Sequence, residues 1–233
     1  MNREGKKALY TGVLLIAAFA VFTMLVQRVD VQAVGVHGMD VGFAALNTRF
    51  HRMTGVHMAV YYVTDWLGLV PIGVCMFFAG LGVMQWLKRK RLLRVDADIL
   101  LLGVYNVIVI GCYLGFEMLS VHYRPVLIEG RMEASYPSST TLLVLSVMPT
   151  LVFQARRRLK NTQAREIICM LTRVFSILMV LGRLVSGVHW LVDIVGSSLL
   201  STGLFCLYKA AVLLLAMSDG RTLAWSFMKN CRN

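Results

Sequence analysis

Three groups of polar residues interrupt an otherwise apolar sequence and carry side chains suited to phosphate chemistry. They are Glu117-x6-Arg124-Pro125, the run Tyr136-Pro137-Ser138-Ser139-Thr140-Thr141, and Arg183-x5-His189-x3-Asp193. Arginine binds phosphate through paired donors, histidine can accept a phosphoryl group, and a carboxylate can orient that histidine. The three groups therefore predict one phosphate site assembled from separate segments.

His189 and Asp193 are four residues apart and share one face if they lie on the same helix. A carboxylate one turn away can hold an imidazole in one tautomer and stabilise its cation. Histidine needs that arrangement to act as a nucleophile or base. We therefore expect a catalytic His189 oriented by Asp193, although a simple polar contact would have the same spacing.

Arg183 lies six residues before His189, and Ser186-Gly187 between them offers a turn. Such a turn would bring the Arg183 guanidinium towards the imidazole. Arg124 and Arg183 are then predicted to hold one phosphate, because the guanidinium matches phosphate oxygens bidentately. The alternative is that each arginine lies at the membrane interface without a ligand.

Ser138 and Ser139 follow Pro137, which suits the first turn of a helix. The backbone amides at a helix N-terminus attract anions. Ser138 and Ser139 are therefore predicted to contribute to phosphate binding.

Membrane helices must position these groups. The chain has 233 residues, of which 58% are hydrophobic and 15% charged, with a mean hydropathy of +0.68. An ordinary soluble domain is about half apolar and a quarter charged, so a water-soluble enzyme is excluded. Apolar runs near 20 residues also exclude disorder, a coiled coil and a disulfide-stapled module. The prediction is a single all-α membrane domain, 1–233, with six spans at about 8–27, 67–87, 97–119, 137–155, 166–186 and 189–216.

The distribution of lysine and arginine predicts the orientation of this bundle. Sixteen of these residues fall on one side of the six-span arrangement, within 3–7, 88–94, 156–165 and 221–232. Basic loops face the cytoplasm, so both termini are predicted to be cytoplasmic and the three polar groups extracytoplasmic, in a cell-membrane protein. The basic loops are expected to contact anionic lipid head groups, with no nucleic-acid partner.

The longest outside segment, 28–66, is predicted to be a polar loop with one short amphipathic helix and an aromatic interfacial stretch. His37, His51 and His57 in this segment lack the spacing of metal ligands, and no outside cysteine pair exists. We therefore expect no metal, no disulfide and no cofactor.

The three groups resemble the sequence blocks of the type 2 phosphatidic acid phosphatase family, which is related to vanadium haloperoxidases and bacterial acid phosphatases. The family blocks K-x6-R-P, P-S-G-H and S-R-x5-H-x3-D correspond here to EMLSVHYRP (117–125), PSST (137–140) and GRLVSGVHWLVD (182–193). The resemblance implies a six-helix bundle that cleaves lipid phosphate or diphosphate esters at the extracytoplasmic surface without metal. It also implies that His189 is transiently phosphorylated, that Asp193 orients it, and that Arg124 and Arg183 hold the phosphate.

Each block departs from the family pattern at one position. Glu117 replaces lysine, Thr140 replaces the histidine that acts as the leaving-group acid, and Gly182 replaces serine. Loss of a general acid can cost about 10²–10⁴ in rate. His122, just before Arg124, is a possible replacement acid.

Glu117 has three possible roles. An ionised Glu117 would pair with Arg124 or Arg183, whereas a protonated one would donate a proton to the leaving group. The third role is helix packing.

The expected function is hydrolysis of a lipid phosphate or diphosphate, such as phosphatidic acid or a polyprenyl diphosphate of the undecaprenyl type. Two alternatives remain: a phosphotransferase that uses the same histidine, and a catalytically silent relative that binds or transports anionic lipids.

Overall fold

The computed structural model describes residues 3–218, and this part of the chain contains helices and no β-strand. This confirms the predicted all-α class. The main helices are α1 (Arg3–Val26), α2 (Ala44–Thr54), α3 (Met58–Leu67), α4 (Leu69–Arg89), α5 (Ala97–Leu119), α6 (Ser139–Arg158), α7 (Thr162–Val185) and α8 (Leu191–Ser218). Two single 3-10 turns lie at Val36–Gly38 and Leu92–Arg94.

Five helical stretches among the described residues are long and apolar enough to cross a membrane, which supports the predicted multi-pass architecture. They are α1, the combined α3–α4 run Met58–Arg89, α5, α7 and Leu191–Leu215 of α8. The second run begins at Met58 rather than near residue 67, because α3 leads into α4 with only Gly68 between them.

The fourth predicted span, 137–155, corresponds to α6, which has spanning length but is not apolar enough to count among the five. The reason lies in its surroundings, because α6 contacts α4, α5, α7 and α8. Its buried residues include Ser146, Thr150 and Gln154. Helix interfaces within membranes favour small and polar residues over lipid-facing ones, so an enclosed helix needs less hydrophobicity than its neighbours.

Glycines allow α1 and α8 to pack closely along their length. A Cβ atom at Gly12 would lie 2.8 Å from Leu207 Cδ2, and one at Gly203 would lie 2.8 Å from Ile16 Cδ1. At the end of α1, the Thr23 and Tyr136 hydroxyls are 2.8 Å apart. This contact ties α1 to the loop that leads into α6.

The two ends of the bundle differ in chemistry. Asp96, in the turn before α5, pairs with Arg89 at 2.8 Å and with Arg158 at 3.1 Å. Arg158 also pairs with Asp98 at 2.8 Å. This ionic network lies at the far end of α6 from Ser138, about 30 Å away for 20 residues at 1.5 Å each. The predicted basic tail residues Arg221, Lys229 and Arg232 lie outside the described residues, and the membrane orientation stays a prediction.

Candidate active site

The turn between α7 and α8 carries His189 and is anchored by the segment before α3. Gly187 adopts a positive φ of 67°, and a Cβ there would lie 1.9 Å from the Gly55 carbonyl oxygen. Only glycine tolerates this approach. The His57 amide donates to the Ser186 carbonyl at 2.9 Å. The backbone near His189 is therefore fixed from outside its own two helices.

Asp193, in the first turn of α8, is completely buried and binds groups from the α5–α6 loop and from the turn before α8. Its Oδ1 accepts from His122 Nε2 at 2.7 Å. Its Oδ2 accepts from the Trp190 amide at 2.8 Å and from the Ser135 hydroxyl. A buried carboxylate is tolerated only when such donors replace water, so this network holds the side chain in a single orientation.

His189 presents one ring nitrogen to this network and leaves the other unpaired. Nδ1 lies 3.2 Å from Ser135 Oγ and 3.4 Å from Asp193 Oδ2. Nε2 is buried and has no hydrogen-bond partner within residues 3–218. Burial lowers the pKa of His189 to about 4, and the positive charges of Arg124 and Arg183 act in the same direction against the raising effect of Asp193. A neutral ring with its proton on Nδ1 has a free lone pair at Nε2.

Arg183, at the end of α7, is only 1% exposed and is bound on one side. Its Nη2 donates to Asp65 Oδ1 at 3.1 Å and to the Thr140 hydroxyl, and Nη1 donates to Thr64 Oγ1 at 3.4 Å. The Nε atom is buried without a partner among the described residues. These contacts fix the plane of the guanidinium.

Arg124 is held in a similar way by the loop between α5 and α6. Its Nη2 pairs with Glu133 Oε2 at 3.1 Å, and Nε donates to the Ala134 carbonyl at 3.5 Å. Nη1 is buried without a partner within the described part of the chain. The Tyr61 ring lies against both guanidiniums, 5.6 Å from Arg124 and 4.9 Å from Arg183. The two arginines are therefore neighbours, and their binding of one phosphate stays a prediction.

Comparison with known proteins identifies the family. The family model for the PAP2 superfamily matches residues 72–215. The chain belongs to the PAP2 superfamily. This membership confirms the resemblance drawn from the three blocks and supports a phosphatase activity. No curated protein matches the chain.

A solved PAP2 structure shares the fold. It is the crystal structure of the first transmembrane PAP2 type phosphatidylglycerolphosphate phosphatase from Bacillus subtilis. The two chains are 19% identical, with a TM-score of 0.52 over 86% of this chain and 94% of the other. At that identity the likeness shows a common architecture.

Glu117, where the PAP2 pattern has lysine, does not form the predicted ion pair. Its side chain is exposed at the end of α5, and it has no ion pair with any described residue. Glu133 pairs with Arg124 and Asp65 pairs with Arg183 instead. Glu117 lines a small cavity together with Tyr113, Phe116, Ala134, Tyr136, Pro137, Ser139 and Leu142. The alternative roles of Glu117 in proton donation and packing stay predictions.

The second PAP2 block opens α6, and its hydroxyls differ in their surroundings. Ser138 is fully buried, its hydroxyl donates to Thr141 Oγ1 at 3.1 Å, and its amide donates to the Asp193 carbonyl at 3.3 Å. Ser138 is thus engaged in holding α6 against α8. Ser139 is half-buried and lines the cavity beside Glu117. Phosphate binding by both serines stays a prediction.

Gly182, where the PAP2 pattern has serine, permits the contact between α7 and α3. A Cβ at this position would lie 2.6 Å from Thr64 Cγ2, closer than carbon atoms approach in proteins. Thr64 is the residue whose hydroxyl accepts from Arg183. The departure from serine therefore accommodates a side chain that contacts the arginine of the same block.

Several residues of the site carried no signal in the sequence blocks. Ser135 immediately precedes the second block, and Asp65 and Glu133 are ionisable residues of the outside segments. A search for carboxylates to compensate the arginines would have found those two acids. Tyr61 had no distinguishing signal. No group of three or more His, Cys, Asp or Glu side chains within residues 3–218 is placed to hold a metal ion.

Proposed function

We propose that this PAP2 protein hydrolyses a lipid phosphate or lipid diphosphate at the extracytoplasmic membrane surface, through a phosphohistidine formed at His189. One observation carries the proposal. Three polar atoms of the site are buried without a hydrogen-bond partner among the described residues: His189 Nε2, Arg124 Nη1 and Arg183 Nε. Unpaired buried polar groups are rare and costly, and a phosphate bound by the two arginines and facing the imidazole would satisfy all three.

The first chemical step follows from the state of the imidazole. The Nε2 lone pair attacks phosphorus, and the bond from phosphorus to the leaving oxygen breaks with its electron pair on that oxygen. The imidazole becomes cationic because Nδ1 keeps its proton. Asp193 and Ser135 lie against Nδ1 and stabilise that charge. In the second step water attacks phosphorus, the N–P bond breaks, and neutral His189 is restored with release of phosphate.

The leaving group receives little help from the residues that replace the usual acid. Thr140 accepts from Arg183, and His122 Nε2 is bound to Asp193. Threonine is a weak acid, and the bound nitrogen of His122 cannot serve a substrate at the same time. Both observations support a substrate with an acidic leaving group. A lipid diphosphate fits, since its leaving group is a lipid monophosphate.

Phosphate release from purified protein tests this function directly. The substrates are phosphatidic acid, phosphatidylglycerolphosphate and a polyprenyl diphosphate, with His189→Ala as the matched control. We expect wild-type turnover, faster on the diphosphate than on the monoesters, and none in the variant. Phosphohistidine without phosphate release would favour a phosphotransferase. Lipid binding without turnover and without a phosphohistidine would favour a catalytically silent lipid-binding relative. Full turnover by His189→Ala would exclude His189 as the nucleophile.

The extracytoplasmic location rests on the basic loops at the opposite end of the bundle. An impermeant thiol reagent applied to intact cells tests it with Glu129→Cys and Lys160→Cys, both at exposed positions. We expect labelling at position 129 only. Labelling at position 160 only would mean that the orientation is inverted.

A further inference from the structure

The ring of Tyr61 lies against both arginines of the site. Tyr61 lies on α3 and is only 6% exposed, and its aromatic ring contacts both guanidiniums. Arg183 comes from the end of α7, whereas Arg124 comes from the loop after α5. The ring is therefore a contact common to two cations that belong to different parts of the chain.

Two neighbouring guanidiniums repel each other, and burial strengthens that repulsion because little water screens it. The faces of an aromatic ring attract cations. A ring that contacts both arginines thus offsets part of their repulsion and limits where each can lie. Asp65 pairs with Arg183 and Glu133 pairs with Arg124, so a carboxylate also offsets each positive charge.

The Tyr61 side chain itself packs against apolar residues from two other segments of the chain. It forms a buried cluster with Ile128 from the Arg124 loop and with Val188, the residue before His189. Its hydroxyl has no hydrogen-bond partner among the described residues. The ring, and not the hydroxyl, makes the contacts.

We propose that Tyr61 is a positioning residue that sets the spacing of the two phosphate-binding arginines, so that α3 is part of the active site. The inference rests on the proposed function. Residue 61 lies outside the range 72–215 that matches the PAP2 family model. The proposed role of Tyr61 is therefore a feature of this chain that lies outside the three sequence blocks.

Calorimetric titration of the full-length protein in detergent with inorganic phosphate tests the proposal. We expect Tyr61→Phe to bind within about twofold of wild type, because it keeps the ring. Tyr61→Leu should bind about three- to thirtyfold more weakly, as expected for lost cation–π contacts. Trp66→Leu removes an aromatic ring from the same helix at a position that is 74% exposed, and should leave phosphate affinity unchanged.

Rescue by phenylalanine separates positioning from general support of the fold. Thermal melting is measured for each variant, and Tyr61→Met replaces Tyr61→Leu if the latter does not fold. Wild-type phosphate affinity in a folded ringless variant would overturn the proposal. So would equal losses in Tyr61→Phe and Tyr61→Leu, because the hydroxyl would then carry the effect.

The same proteins distinguish this inference from the proposed function. If phosphate binding depends on Tyr61 but the wild-type protein hydrolyses no lipid, the proposed function is overturned and the inference about Tyr61 stands. Turnover by the wild type with unchanged phosphate affinity in the ringless variants would overturn the inference alone. A wild type that binds no phosphate would overturn both.

Discussion

The guanidinium of Arg183 donates a hydrogen bond to the hydroxyl of Thr140, the residue that stands where the PAP2 pattern has its acid histidine. The second block thus contributes an acceptor for an arginine of the third block. Thr140 is buried, and its methyl group lies against Gly68. A larger side chain would have to displace one of these neighbours.

Removal of the Thr140 hydroxyl should therefore destabilise the protein. Thr140→Val keeps the shape but leaves an Arg183 donor without this acceptor, and we expect a loss of about 1.5–3 kcal/mol, typical of hydrogen bonds to charged groups. Thr140→Ser keeps the hydroxyl and is the matched control. Thermal melting in detergent is measured for both variants. Equal melting temperatures for Thr140→Val and Thr140→Ser would contradict the assigned hydrogen bond.

Each arginine should contribute strongly to phosphate affinity. Arg124→Ala and Arg183→Ala each remove a charge-assisted contact worth about 1.5–3 kcal/mol, a loss of about ten- to more than a hundredfold in affinity for inorganic phosphate or vanadate. His189→Ala serves as the comparison, because it removes the nucleophile and leaves both arginines. We expect that variant to bind phosphate without turnover. Undiminished affinity in either arginine variant would remove that arginine from the site.

The family serine should not be tolerated at position 182. Gly182→Ser places a Cβ against Thr64 Cγ2, and overpacking of this kind costs about 1–3 kcal/mol. Thr64→Ser removes that methyl group and keeps the hydroxyl that accepts from Arg183. The double variant should recover most of the lost stability in thermal melting. Additive losses in the double variant would contradict the steric explanation.

The protein should become less stable at acidic pH because of His189. Its pKa is about 4 in the folded protein and near 6.5 when unfolded. Between these values the unfolded chain binds more protons, so stability is highest above pH 6.5 and decreases as the pH falls towards 4. The shift corresponds to roughly 3 kcal/mol. His189→Asn should show a shallower pH dependence in melting experiments, and an unchanged one would contradict the assignment.

His122 should support the catalytic pair without binding phosphate. His122→Ala leaves Asp193 Oδ1 buried without its donor, which costs about 1–3 kcal/mol of stability. Turnover should fall because Asp193 then orients His189 less well, while affinity for inorganic phosphate stays within about twofold. His122→Asn supplies a shorter donor and should recover part of the turnover. A selective loss of phosphate affinity would indicate that His122 contacts the ligand.

Local features of the sequence were enough to predict the membrane class, the helical architecture and the segments that form the site. Apolar runs near 20 residues identify spans because lipid offers the backbone no hydrogen bonds. The spacing of His189 and Asp193 predicted their proximity on one helix; in the structure they are 3.4 Å apart, but His189 lies in the turn before α8 and only Asp193 lies on the helix. Arg124 and Arg183 were expected to meet because phosphate chemistry requires paired donors.

The partners of these groups were decided by the packing of helices. Arg183 binds Asp65 across 118 residues of sequence, and Ser135 binds Asp193 across 58. Helix periodicity does not specify such pairs, because lipid-facing and protein-facing surfaces of a membrane helix are both apolar. The sequence offered an ion pair with Arg124 or Arg183 as one of three roles for Glu117, and it gave no sign that Asp65 and Glu133 take that role. The approach of α3 to α7 at Gly182 brings Asp65 to Arg183, whereas Glu117 lies exposed at the end of α5.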